Sequence, residues 1–160
     1  EKLYFGQFGD LTFFYDMNAL GNRHISNNLR ILLINNGRGV RFRVTDVIER
    51  SFGDEIDEFI SAGGHFGSAE GWGRSMGFEY FSASNKTEFL SLIDDFCDPD
   101  LRRFDRPVLF EVFTKVEDEQ EGLKIFRSIN SSAIDMFRVK EIAKQILPQS
   151  AVDALKKLKK

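Results

Sequence analysis

The chain has 160 residues, 42% hydrophobic and 29% charged, with a formal net charge of −3. That is enough sequence for one ordinary globular domain with a sizeable core. The acidic balance argues against a nucleic-acid binder, which shows a basic face. The single Cys97 excludes an internal disulfide framework and suits a reducing compartment such as the cytoplasm. No apolar run reaches the about 20 residues that span a bilayer. No signal peptide is visible, and the chain opens at Glu1 rather than Met, just before an apolar segment; we expect a piece of a longer protein.

In chain order, Leu3–Phe8 reads as a short buried strand ending in Gly9-Asp10. Thr12–Leu20 reads as a helix with Phe13, Met17 and Leu20 on one face, stopped by Gly21-Asn22. "LRILLI" at 29–34, short, apolar and flanked by Asn, is the clearest strand and suits a parallel sheet covered on both faces. An alternating stretch at Val40–Val44 and a short helix over Asp54–Ser61 follow. A Gly-rich region then encloses a helix around Ala69–Met76. Phe78–Phe81 is a strand, Lys86–Phe96 an amphipathic helix, and Pro107–Thr114 a strand, Pro being tolerated at a strand's first residue. Helices are expected over Asp118–Ile129, Ile134–Leu147 and Ala151–Leu158, the last capped by Ser150. Strands alternating with helices predict a layered α/β fold with a mostly parallel sheet, and the seventeen Phe residues predict an aromatic core.

Ligands of an open parallel sheet gather at the carboxyl ends of its strands. Asp10 and Asn36 both fall at such ends, one strand–helix–strand unit apart. An anionic carboxylate oxygen and a neutral amide oxygen suit Mg²⁺, which shares its octahedral shell with substrate phosphates. Gly9 permits close backbone approach, and the helix start near Thr12 offers N–H groups to a phosphate. The pattern points to a magnesium–diphosphate site.

These residues carry a family resemblance. Gly9-Asp10 after one strand and Asn35-Asn36 after the next resemble the signature of thiamine-diphosphate-dependent enzymes. "GDLTF", with Leu11 where the broad family has Gly, resembles the "GDLSF" form of the menaquinone-pathway branch, the 2-succinyl-5-enolpyruvyl-6-hydroxy-3-cyclohexene-1-carboxylate synthases. "PVLFEVFTKVEDEQEGL" is similar to that branch's closing strand and acidic helix start, and "GWGRSMGFEYFSA" to its helix-then-strand segment. The likeness runs from about Leu3 to Ile129.

The resemblance implies a three-layer α/β/α domain of the diphosphate-binding type over 1–130, its first strand lying upstream, and a helical extension over 131–160. It implies thiamine diphosphate and Mg²⁺ as cofactors. Asp10 and Asn36 would ligate the metal by their side chains and Arg38 by its backbone carbonyl; Gly9, Leu11 and Thr12 would form the turn around the diphosphate, and Asn35 would be structural. It implies a lyase or transferase acting on a 2-oxo acid as a decarboxylase or carboligase, with an acetolactate-synthase-like reaction equally compatible. The carboxylate that activates the cofactor belongs to a separate pyrimidine-binding domain, normally of a partner subunit. We therefore assign no catalytic residue here, and expect a full-length homodimer or homotetramer and an inactive isolated piece.

A non-catalytic alternative is a receiver-like signalling domain with a Mg²⁺/phosphate pocket, although Lys115 falls one residue late for that pattern. Elsewhere the plain readings lead. His24 is a surface residue, Trp72 core, Cys97 a buried or idle thiol, and the "LKKLKK" tail a solvated helix end. The acidic run Glu117, Asp118, Glu119 and Glu121 reads as helix capping. His65, in "AGGHFG", is either an idle loop residue or one facing substrate.

Overall fold

The computed structural model describes residues 2–39, 55 and 64–129. The expected elements at Val40–Val44, Asp54–Ser61, Ile134–Leu147 and Ala151–Leu158 lie outside the described residues. The chain divides into two compact units, Glu1–Gln120 and Glu121–Lys160. All four described strands belong to the first.

The elements are β1 (Tyr4–Gly9), α1 (Asp10–Asp16) running into a 3₁₀ turn (Met17–Gly21), β2 (Leu29–Asn35), α2 (Glu70–Ser75), β3 (Glu79–Ala83), α3 (Lys86–Cys97), β4 (Val108–Phe113) and α4 (Val116–Ile129). The strands form one parallel sheet in the order β1-β2-β4-β3. The expected α/β class with a parallel sheet is borne out.

Successive strand residues face opposite sides, so each side of the sheet has its own core. On one side Ile31, Leu33, Tyr80 and Leu109 pack with Phe13 and Leu20 and with Ala69 and Phe78. Trp72 packs against this cluster, and its indole N–H donates to the Met17 carbonyl at 2.8 Å. On the other side Val108, Phe110 and Ala83 pack with Phe96, and Phe81, Phe89 and Phe104 close around them. Phe89 stacks on Phe110 with ring centroids 5.6 Å apart and 14° between planes. Burying a side chain of this size contributes about 1.5–3 kcal/mol, so the Phe110 cluster anchors α3 to the sheet. The Asn85 side chain caps α3 by accepting from Glu88 N–H (3.0 Å), and the Glu88 carboxylate accepts from Ser84 N–H (2.7 Å) in return.

Boundaries shifted where local hydrogen bonds compete. The first helix begins at Asp10, not Thr12, because the Asp10 carboxylate accepts the Leu11 N–H at 2.7 Å and an acid is favoured in a first turn. β3 begins at Glu79 rather than Phe78. Gly77 turns the chain with φ +86°, Phe78 N–H returns to the Gly73 carbonyl (3.0 Å), and Glu79 N–H is the first to reach across, to Pro107 O (2.8 Å).

The aromatic-core expectation holds for Phe13, Phe78, Phe96 and Phe110, which are buried, but not for all. Among the described strands β1 lies at one end of the sheet rather than buried within it, with Tyr4 and Phe5 each 57% exposed and Phe8 39% exposed. Inside the apolar run of β2, Arg30 is fully buried. Its Nη1 donates to Asn27 O (2.6 Å) and Leu29 O (3.2 Å), and its guanidinium lies over the Phe104 ring at 5.2 Å. His24 and Cys97 are exposed. Among the described residues no helix is long and apolar enough to cross a membrane.

Candidate functional site

β1 and β2 run side by side with Gly9 opposite Ile34. Asp10 therefore follows the tip of one strand while Asn35 and Asn36 lie at the tip of its neighbour, at the carboxyl end of the sheet. Asp10 is only 3% exposed. Its Oδ1 accepts from Leu11 N–H and its Oδ2 meets His65 Nε2 at 3.0 Å. The imidazole's tautomer follows from its other nitrogen: Nδ1 accepts from Gly67 N–H (3.1 Å), so Nε2 carries the proton and donates to Asp10. His65 N–H donates to the Gly37 carbonyl at 2.8 Å. One residue thus ties the Asp10 carboxylate to the loop after β2.

That loop is shaped by two consecutive side-chain turns. Asn35 Oδ1 accepts from Gly37 N–H and Asn36 Oδ1 from Arg38 N–H, each at 3.1 Å. Gly37 has φ +76°, and a Cβ there would lie 3.1 Å from the His65 carbonyl oxygen, so the tight turn requires glycine. A cleft of about 500 Å³ opens here, lined by Asn35, Asn36, Gly37, Arg38, His65 and Thr114 among others.

The amide ends of both asparagines are held by acids, Glu111 of the neighbouring strand β4 for Asn35 and Glu119 of the helix that follows it for Asn36. Asn35 Nδ2 donates to Glu111 Oε1 (2.7 Å) and to Gly67 O (2.8 Å). Asn36 Nδ2 donates to Glu119 Oε2 (3.0 Å), while the Thr114 hydroxyl donates to Glu119 Oε1. Glu111 is fully buried in β4 and also accepts from Ser68 Oγ (2.8 Å), Tyr80 OH (2.6 Å) and Ala69 N–H (3.0 Å to Oε2). Burial, and then the hydrogen bond to Glu111, raise the Tyr80 phenol well above its ordinary pKa.

Of the residues singled out in the sequence, Asn36 and Arg38 line the cleft at this end of the sheet, and Asp10 is joined to the same loop through His65. Thr12 is exposed and lines a different hollow, beside Phe8 and Phe13. The Leu11 N–H is turned onto Asp10. His65 is more than a loop residue, and Glu119 does more than cap a helix. Glu111 went unnoticed, although a lone acid within "VLFEVF" is itself a signal, since a buried charge needs partners.

The donor set suits Mg²⁺: a carboxylate, a carboxamide oxygen and a backbone carbonyl are all hard oxygens. A carboxylate oxygen has two lone-pair positions, so Asp10 Oδ2 can accept from His65 and still face a cation; Asn36 Oδ1 likewise has one beyond that used by Arg38. Among the described residues no group of three or more His, Cys, Asp or Glu side chains could hold a metal, which leaves a receiver's acidic cluster without a counterpart there.

No family model matches the chain. Curated relatives do. The 2-succinyl-5-enolpyruvyl-6-hydroxy-3-cyclohexene-1-carboxylate synthase of Bacteroides fragilis is 40% identical over 124 residues, 78% of this chain and 21% of the relative. The synthase of Phocaeicola vulgatus matches to the same extent. That of Christiangramia forsetii is 33% identical over 113 residues, 69% of this chain and 18% of the relative. The chain is a homologue of one segment of these synthases. It spans about one fifth of their length. The thiamine-diphosphate-dependent branch named from "GDLTF" and Asn35-Asn36 is thereby borne out as the chain's kin.

Proposed function

We propose that this chain is the diphosphate-binding domain of a thiamine-diphosphate-dependent 2-oxo-acid decarboxylase or carboligase of the 2-succinyl-5-enolpyruvyl-6-hydroxy-3-cyclohexene-1-carboxylate synthase type. The observation that carries the reading is the parallel pairing of β1 with β2, which sets a buried Asp10 beside the Asn35-Asn36 tip. In this reading Asp10 and Asn36 ligate Mg²⁺ through side-chain oxygens and Arg38 through its backbone carbonyl. Gly9 and Leu11 frame the turn beside the diphosphate, Thr12 faces the hollow beside Phe13 instead, and Asn35, locked by Glu111, is the structural floor.

When bound, thiamine diphosphate supplies the electron sink for cleaving the bond beside a 2-oxo group. This domain's part is anchoring and orientation: Asp10, Asn36 and the Arg38 carbonyl would hold a metal that would neutralise diphosphate charge, and the tightly bonded loop would keep those ligands in place. The carboxylate that activates the cofactor would come from a pyrimidine-binding domain of a partner subunit, in a cytoplasmic homodimer or homotetramer. On this basis 1–130 is the cofactor domain, 131–160 is a helical extension, and the isolated piece has no activity.

The test is calorimetric titration of the full-length protein with thiamine diphosphate and Mg²⁺, repeated with Asp10→Ala. The expected result is metal-dependent binding that the variant loses. Unchanged cofactor affinity in the variant would end the site assignment.

A further inference from the structure

We propose that Glu119 is a positioning residue that decides which end of the Asn36 carboxamide faces the metal, an inference that rests on the Mg²⁺ reading above. A carboxamide is nearly symmetric in shape but not in chemistry: one end donates and the other accepts. Only the oxygen end can ligate a cation, so a flipped Asn36 would point two N–H groups at the ion. Two contacts fix the orientation. The Nδ2 end meets the Glu119 carboxylate at 3.0 Å and the Oδ1 end meets the Arg38 N–H at 3.1 Å. Flipping would set oxygen against carboxylate and amide against amide. Of these two restraints, Glu119 is the one from outside the loop.

Glu119 is itself held. The Thr114 hydroxyl donates to its other oxygen, and Glu119 N–H donates to Lys115 O at 3.1 Å in the first turn of α4. Thr114 N–H donates to Asn35 O at 2.9 Å, which carries the β2–β4 seam up to the site. The acid is therefore braced by the strand beside the one that bears Asn36. Glu111 serves Asn35 in the same manner, so each member of the Asn pair has its own orienting carboxylate.

The experiment is a double-substitution cycle in the full-length protein. The readout is the Mg²⁺ concentration that half-saturates thiamine diphosphate binding, followed by calorimetry, together with the metal-free thermal midpoint. Glu119→Ala is expected to raise half-saturation roughly tenfold, the scale typical of lost outer-shell partners, with little change in the metal-free midpoint. In an Asn36→Asp background the side chain has two equivalent oxygens and no orientation to fix. Glu119→Ala should there cost less than about twofold, the additivity limit, or strengthen binding by removing a like charge. An equal loss in both backgrounds, or none in either, overturns the proposal. Should Glu119→Ala fail to fold, the cycle is run with Glu119→Met, which keeps most of the side-chain length but has no oxygen to accept from Asn36. Asp10→Asn is measured in parallel: if it leaves half-saturation unchanged, the Mg²⁺ site itself is wrong, whereas dependence on Asp10 without dependence on Glu119 defeats only the orienting role.

Discussion

Glu111→Gln should destabilise this domain far more than its near-identical shape suggests. Every partner of the carboxylate is a donor: Asn35 Nδ2 at 2.7 Å, Ser68 Oγ at 2.8 Å, Tyr80 OH at 2.6 Å and Ala69 N–H at 3.0 Å. Glutamine must turn its NH₂ toward one side of this set. On the Oε1 side it meets the Asn35 amide, which cannot reverse without losing its bonds to Gly67 O and Gly37 N–H. On the Oε2 side the Ser68 and Tyr80 hydroxyls can rotate to accept, so the NH₂ goes there and faces the Ala69 N–H. Hydrogen bonds to a charged group contribute about 1.5–3 kcal/mol each and neutral ones about 1. Loss of charge assistance over the set, with one donor opposed, amounts to about 2–3 kcal/mol. For a domain of this size that lowers the thermal midpoint by roughly 6–12 °C. Urea unfolding at pH 7, followed by far-ultraviolet circular dichroism and by emission of the single Trp72, measures it. A loss below about 0.5 kcal/mol, the range of neutral surface changes, would refute the claim that this acid organises the site's floor.

Alkali should weaken the fold through Tyr80. Its folded pKa is raised above the ordinary 10.0, by burial first and by Glu111 second. Above pH 10 the unfolded chain releases the phenol proton while the folded chain keeps it, so stability present below that pH is lost as pH climbs, by at most about 1.4 kcal/mol per pH unit. Tyr80→Phe should flatten that slope in urea melts taken between pH 9 and 11, as bounded by the ordinary value of 10.0; an unchanged slope would count against the assignment. Gly37→Ala places a Cβ 3.1 Å from the His65 carbonyl in a left-handed turn, and should cost about 1–2 kcal/mol; thermal melts that match wild type would show the turn relaxes freely. Phe110→Ala opens the centre of the α3-side core, where Phe81, Phe89 and Phe96 converge on one ring, at about 3–5 kcal/mol; chemical denaturation reads it directly.

Much of the architecture could be read from residue order because the signals were local. "LRILLI" and "PVLFEVFT" are short apolar runs between turn residues, and both became inner strands. Asp10 and Asn36 follow from the same logic, since strand tips in a parallel sheet are where polar groups can be presented without breaking a ladder. What stayed hidden depends on contacts between distant residues. Arg30 and Glu111 look like interruptions of hydrophobic runs; only the packed sheet supplies the Phe104 ring to one and Ser68, Tyr80 and Asn35 to the other. Glu119 sits within an acidic series that charge alone assigns to a helix start, and its neighbours Glu117 and Asp118 are exposed there. Its inward turn is set by Thr114 and Asn36, which no sequence spacing announces. His65 likewise reaches Asp10 across 55 positions of chain.

The outer strand carries a consequence of its own. Among the described strands Asp10 hangs from β1, which pairs with β2, whereas Asn36 hangs from β2, which pairs with β1 and β4. On the Mg²⁺ reading, opening the β1–β2 seam would part Asp10 from Asn36 and so divide the proposed ligand set. Local opening of that seam would then weaken the proposed metal site before global unfolding, and amide protection along Tyr4–Gly9 is where that vulnerability would first be visible.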